Sequence, residues 1–215
     1  MTGKHRRRSQ QERTAETSAR LMEATIDLLY ENGITRATTP EIARKAGVSR
    51  GALTHHFPTR DSIITSSIAR MLSLVNEDLA RFGKDFAVRG GSSDEIVDYL
   101  WDVMSNRLFY VTLEYLPEAR HNEDFKQQLV PVVRDFHAGL DLIWTELAER
   151  AEVSPDLARN MMNGTMCFIR GMIAQTVLRD DPAYYEGLLT FWKQQVRQQF
   201  PTAKPAATPK HGAAE

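Results

Sequence analysis

The chain has 215 residues, 42% hydrophobic and 26% charged, a balance that suits one medium globular domain or a small domain joined to a larger one. It has no run of 18 or more apolar residues to span a membrane, and its polar, basic N-terminus lacks the apolar segment of a secretory signal, so a cytoplasmic location is expected. The single cysteine, Cys167, excludes an internal disulfide, and the net charge of −1 does not by itself argue for nucleic acid.

The distribution of charge is more informative. Residues 1–70 hold 12 Lys and Arg against 7 Asp and Glu, leaving 15 against 21 for the other 145, which predicts a basic head on an acidic body. Lys4, His5, Arg6, Arg7 and Arg8 form a basic run without apolar periodicity. Residues 1–13 therefore read as a disordered arm, either following a phosphate backbone or simply solvated. A first helix over 14–32 carries Leu21, Met22, Ile26, Leu28 and Leu29 at helical spacing and stops at Asn32 and Gly33.

Residues 38–60, TTPEIARKAGVSRGALTHHFPTR, read as two short helices meeting at a tight turn. Thr39 is the expected cap, with Pro40 and Glu41 in the first turn. Ala43 is small enough for a close helix crossing, and Gly47 supplies the positive φ that re-aims the chain. Ser49 caps the second helix, and Leu53 turns back into the core while Arg50, Gly51, Ala52 and Thr54 face outward. A small residue, a glycine four positions on and an aliphatic residue at ten is the spacing of a DNA-binding helix-turn-helix. An ordinary helical hairpin is the plainer alternative.

A long amphipathic helix after Pro58 is expected to run to about Phe82, followed by a loop at Gly90 to Ser93. Helical pattern then continues to about Arg120, bent near Asn106, and a further helix opens at Asn122 with a kink at Pro131. Ser154, Pro155 and Asp156 start another helix, broken at Asp180, Asp181 and Pro182; one more ends before Pro201. Residues 201–215, rich in Pro and Ala, read as a disordered tail. The fold class is all-α, about nine helices, divided as a helix-turn-helix domain over 14–59 and a helical body over 60–200.

The stretch IARKAGVSRGALTHHFPTRDSII resembles the helix-turn-helix signature of tetracycline-repressor-like (TetR family) transcriptional regulators. In that signature a Gly-Val-Ser turn leads to a short recognition helix ending Tyr-Tyr-His-Phe, then a proline, a basic residue and an amphipathic helix. His56, Phe57, Pro58 and Arg60 fit, whereas Thr54 and His55 stand where the family carries its two aromatics. The resemblance implies a regulator, expected to be a repressor, that binds a palindromic operator as a homodimer and is released by a small-molecule effector. An effector-independent constitutive or architectural DNA binder is the alternative.

Arg50 is the candidate for a guanine edge, with Gly51 and Ala52 allowing close approach. Ser49 sits at the start of the reading helix, and Thr38, Thr39, Thr54, His55, His56 and Arg60 are candidates for phosphates. The effector-binding body that the resemblance implies draws its candidate lining from Trp101, Met104, Phe109, Phe136, Trp144, Met161, Phe168 and Met172, each of which also suits plain core packing. It also implies that the last two helices pair with those of a second copy. Gly164, Gly171, Leu188, Phe191 and Trp192 are the candidate contacts. Cys167 lies in an apolar run and reads as a buried thiol.

No catalytic constellation is present, so an enzyme is not expected. Glu118 and His121, with Glu114 four residues before Glu118, have metal-ligand spacing, but a helical di-metal site needs a second such motif, which is missing. No metal and no cofactor are expected.

Overall fold

A computed structural model describes residues 9–199 apart from Gly90 and Ala151; the basic run at 4–8 and the tail at 201–215 lie outside the described residues. Among the described residues there are nine α-helices, one 3-10 turn and no strand. The chain divides into two compact units, the first comprising residues 1–72 with 110–134 and the second 73–109 with 135–215.

In the first unit, α1 (Gln10–Asn32) starts four residues before the predicted helix, so Gln10 to Arg13 are helix rather than arm. The reason is a capping box: the Ser9 hydroxyl accepts the Glu12 N–H at 3.1 Å and Glu12 accepts the Ser9 N–H at 2.7 Å. Leu21, Leu28 and Leu29 form its buried face. Gly33, at φ 79°, leads into a 3-10 turn (Ile34–Arg36) and then α2 (Thr39–Ala46). The cap is Thr38, one residue before the one predicted, and its carbonyl accepts the Ile42 N–H at 2.9 Å.

Gly47 takes φ 64° and ψ 39°, the left-handed conformation that lets α3 (Arg50–His56) leave at an angle. The first twelve or so residues of α4 (Arg60–Arg89) bury Ile63, Ile64 and Ile68 in the same unit. Each such aliphatic side chain contributes about 1.5–3 kcal/mol by leaving water. α4 continues beyond the predicted stop at Phe82 to Arg89. The compact unit also reaches past the expected boundary at 59, taking in α4 as far as Leu72 and residues 110–134.

Beyond α4, α5 (Ser93–Met104) of the second unit ends at Ser105, and α6 (Arg107–His121), which belongs to the first unit from residue 110 on, restarts with the Asn106 side chain accepting the Arg107 N–H at 2.8 Å. The predicted bend is thus a break, made by an asparagine that caps a new helix. Pro117 and Pro131 are carried inside α6 and α7 (Glu123–Arg150). α8 (Pro155–Thr176) is capped by Ser154, whose hydroxyl accepts the Leu157 N–H at 3.1 Å, and α9 (Pro182–Gln199) follows.

Polar and aromatic contacts give the second unit its register. Tyr99 stacks on Phe82 with ring centroids 4.0 Å apart and donates its hydroxyl to Asp78 at 2.8 Å. Arg197 of α9 forms a two-pronged pair with Asp94 of α5, at 2.7 and 2.8 Å. The α8 and α9 faces meet where Phe168 stacks on Trp192 at 4.7 Å and the indole N–H donates to Thr165 at 3.0 Å.

Candidate nucleic-acid interface

The reading helix is short, seven residues, so its orientation depends on what holds it. Leu53 is buried on one side, and Ile42 and Ala43 of α2 are buried beside it. The Ser49 hydroxyl accepts the Ala52 N–H at 3.1 Å, which fixes the first turn. From α1, Arg20 donates through its guanidinium to the carbonyls of Ala46 and Gly47, satisfying the end of α2 and pinning the turn. Lys45 ties α2 to α1 through Glu31 at 2.7 Å.

With one face so fixed, α3 presents Arg50, Gly51, Thr54 and His55 as an exposed stripe. The Thr54 hydroxyl donates to the Arg50 carbonyl at 3.0 Å, and Arg50 itself is exposed. A long, permanently charged fork on an exposed helix face is suited to two adjacent acceptors on a guanine edge. Thr38 and Ser49 are also exposed, whereas Thr39 and Ala52 are half-buried.

Two of the candidate phosphate contacts have partners within the chain. His56 is half-buried, with Nδ1 2.9 Å from the Ser18 hydroxyl of α1. Arg60 turns toward the 3-10 turn, where Nε donates to the Ala37 carbonyl at 3.0 Å and Nη2 to that of Ile34. Both groups tie the reading helices to neighbouring elements of the head.

Sequence reasoning passed over three residues. Arg20 and Glu114 act on backbone far away in the chain, and no local pattern announces that. Arg36, exposed in the 3-10 turn just before α2, could have been found as a cation flanking the motif. Glu114, set aside as part of a metal spacing, accepts the Ile34 N–H at 2.9 Å, and Glu118 accepts from the Asn122 amide at 2.9 Å. No group of three metal-ligating side chains occurs among the described residues.

The candidate pocket residues differ in exposure among the described residues. Met104, Phe109, Phe136 and Met172 are buried, Met161 is half-buried, and the Trp144 side chain lies outside the described residues. Phe168 packs against Trp192 within the α8 and α9 pair. Trp101 instead lines a cleft of about 310 Å³ with Tyr185, Leu189, Pro182, Asp180 and Glu186.

Of the candidate dimer contacts, Gly171 and Phe191 are exposed and Leu188 is half-buried. Trp192 has intrachain partners, and Gly164 lies under its ring, 3.9 Å from where a Cβ would be. Cys167, expected to be buried, is exposed, because the apolar run around it wraps the helix and places Met166 and Ile169 inward instead.

Residues 21–66 match the family model described as bacterial regulatory proteins, tetR family. The uncharacterized HTH-type transcriptional regulator Rv2912c of Mycobacterium tuberculosis is 28% identical over 181 residues, 80% of this chain and 92% of that protein. The fold is shared with a TetR-family transcriptional regulator from Mesorhizobium loti, at a TM-score of 0.69 and 15% identity over 86% of this chain and 97% of that one. It is also shared with the regulator FadR of Bacillus subtilis in complex with stearoyl-CoA, at a TM-score of 0.63 and 19% identity over 83% and 96% of the two chains. Residues 21–66 thus carry the helix-turn-helix of bacterial TetR-family regulatory proteins, and the chain is similar over most of its length to HTH-type transcriptional regulators.

Proposed function

We propose that this regulator is a repressor that binds a palindromic operator as a homodimer in the bacterial cytoplasm and leaves it when a partly apolar small molecule binds the body. One α3 helix offers few base contacts, so selectivity calls for two, held at successive major-groove faces ~34–36 Å apart. The observation that carries the reading is the outer face of α8 and α9. Asn163, Cys167, Gly171 and Ala174 are exposed along α8, and Phe191 is 53% exposed on α9. Among the described residues nothing lies within 4 Å of where a Gly171 Cβ would be. Glycine in mid-helix costs about 1 kcal/mol relative to alanine, and no packing contact of the described residues requires it. A helix of a second copy crossing at this point supplies the reason.

The effector reading is supported by the stearoyl-CoA held by the FadR relative and by the large apolar side chains of the second unit. An effector that prefers a body conformation with misplaced heads weakens operator binding by the factor by which the operator weakens effector binding. Sedimentation of the protein alone and with a duplex enriched from a randomised pool tests the stoichiometry, and native mass spectrometry of the purified protein identifies a retained small molecule. A monomer that binds a non-palindromic duplex at full affinity would overturn the proposal.

A further inference from the structure

The turn that joins α1 to α2 is gripped from both sides by side chains of two other helices. From α6, Glu114 Oε2 accepts the Ile34 N–H at 2.9 Å. From the first residue of α4, the Arg60 guanidinium donates to the Ile34 and Ala37 carbonyls. Ile34 therefore has both its N–H and its C=O bound by side chains that are 80 and 26 positions away. Gly33 is shaped for this arrangement: its φ is 79°, and a Cβ there would lie 2.9 Å from Glu114 Oε2. Ala37 is fully buried, and the next residue, Thr38, caps α2, so the turn cannot shift without carrying α2 with it.

We infer that Glu114 is a positioning residue for DNA binding, one half of an acid-and-base clasp with Arg60 through which α6 and α4 together set the orientation of the reading helices. A carboxylate on one amide is a poor substitute for packing as a source of general stability, but it is directional, and its bond is lost within about an ångström of displacement. The inference requires DNA binding only, and it is independent of the dimer and of the effector.

The test is fluorescence anisotropy across a salt series, using a duplex enriched by the unaltered protein from a randomised pool. Glu114→Ala should weaken binding about tenfold, equivalent to about 1.4 kcal/mol, with an unchanged slope of log K against log salt because no phosphate contact is lost. Glu114→Gln keeps an acceptor oxygen and should return affinity to within about threefold, a rescue that a purely structural role of the charge would not produce. In the free protein, exchange of the Ile34 amide should quicken in Glu114→Ala while that of Ile42 stays the same. If Glu114→Ala does not fold, Glu114→Met fills similar volume without the acceptor and carries the same comparison. Full affinity in the variant that lacks the acceptor, or a glutamine variant as weak as it, would overturn the inference.

Discussion

Replacing Gly171 by leucine separates the dimer from the monomer by the sign of the effect. In a lone chain no described residue lies within 4 Å of the added Cβ, and the helix is continuous from Pro155 to Thr176. Leucine is a better helix former than glycine by roughly 0.8 kcal/mol, so a monomeric protein should become slightly more stable. If a second copy crosses here, the same side chain must fit between two closely packed helices. Overpacking costs about 1–3 kcal/mol per insertion, and an isologous interface suffers it twice. The helical gain is common to monomer and dimer and cancels, so the association constant should fall by about one to four orders of magnitude. Sedimentation velocity over a concentration series measures association, and thermal melting at the lowest concentration measures the monomer. A variant that dimerises as before and melts higher would refute the assignment of this face while leaving the DNA-reading head untouched.

Arg50→Ala should cost about 1–3 kcal/mol on the enriched duplex and relax preference at one position per half-site; an equal loss on random DNA would reassign Arg50 to the backbone. Gly47→Ala should lower stability by about 1–2 kcal/mol, because φ is 64° and the new Cβ would lie 3.0 Å from an Arg20 guanidinium nitrogen; a urea midpoint that does not move would contradict this. The hydroxyl of Tyr99 holds the Asp78 carboxyl below the usual carboxylate range, while burial raises the Tyr99 phenol. A depressed folded pKa stabilises at pH above the unfolded value, about 3.9, and that contribution fades as pH falls through the folded value. Tyr99→Phe should therefore lower the denaturation midpoint more at pH 7 than at pH 3, and the reverse order would show that the contact is not what sets it.

The reading head was legible because each of its key positions has a local steric reason. Gly47 is needed where φ is positive, Ser49 where a helix begins, and Leu53 where a seven-residue helix has one inward side. Asn106 shows the limit of periodicity: the same apolar spacing passes through it, yet its side chain starts a new helix. Within the candidate site, chemistry alone placed Arg60 and His56 beside Arg50 as polar, basic neighbours of the motif. Whether such a side chain meets DNA or protein depends on acceptors contributed by another part of the chain, the Ile34 and Ala37 carbonyls for Arg60 and Ser18 for His56.

By itself the sequence determined the helical class, the helix-turn-helix and the helix starts at Ser49 and Ser154, since these rest on backbone conformation and capping within a few residues. Only the tertiary structure decided that Glu114 binds a turn 80 residues earlier, that Trp192 belongs to the α8 and α9 contact and that Cys167 faces outward. Helical spacing states which residues share a face, but which neighbour covers that face is fixed by packing between segments distant in the chain, and no local pattern encodes it.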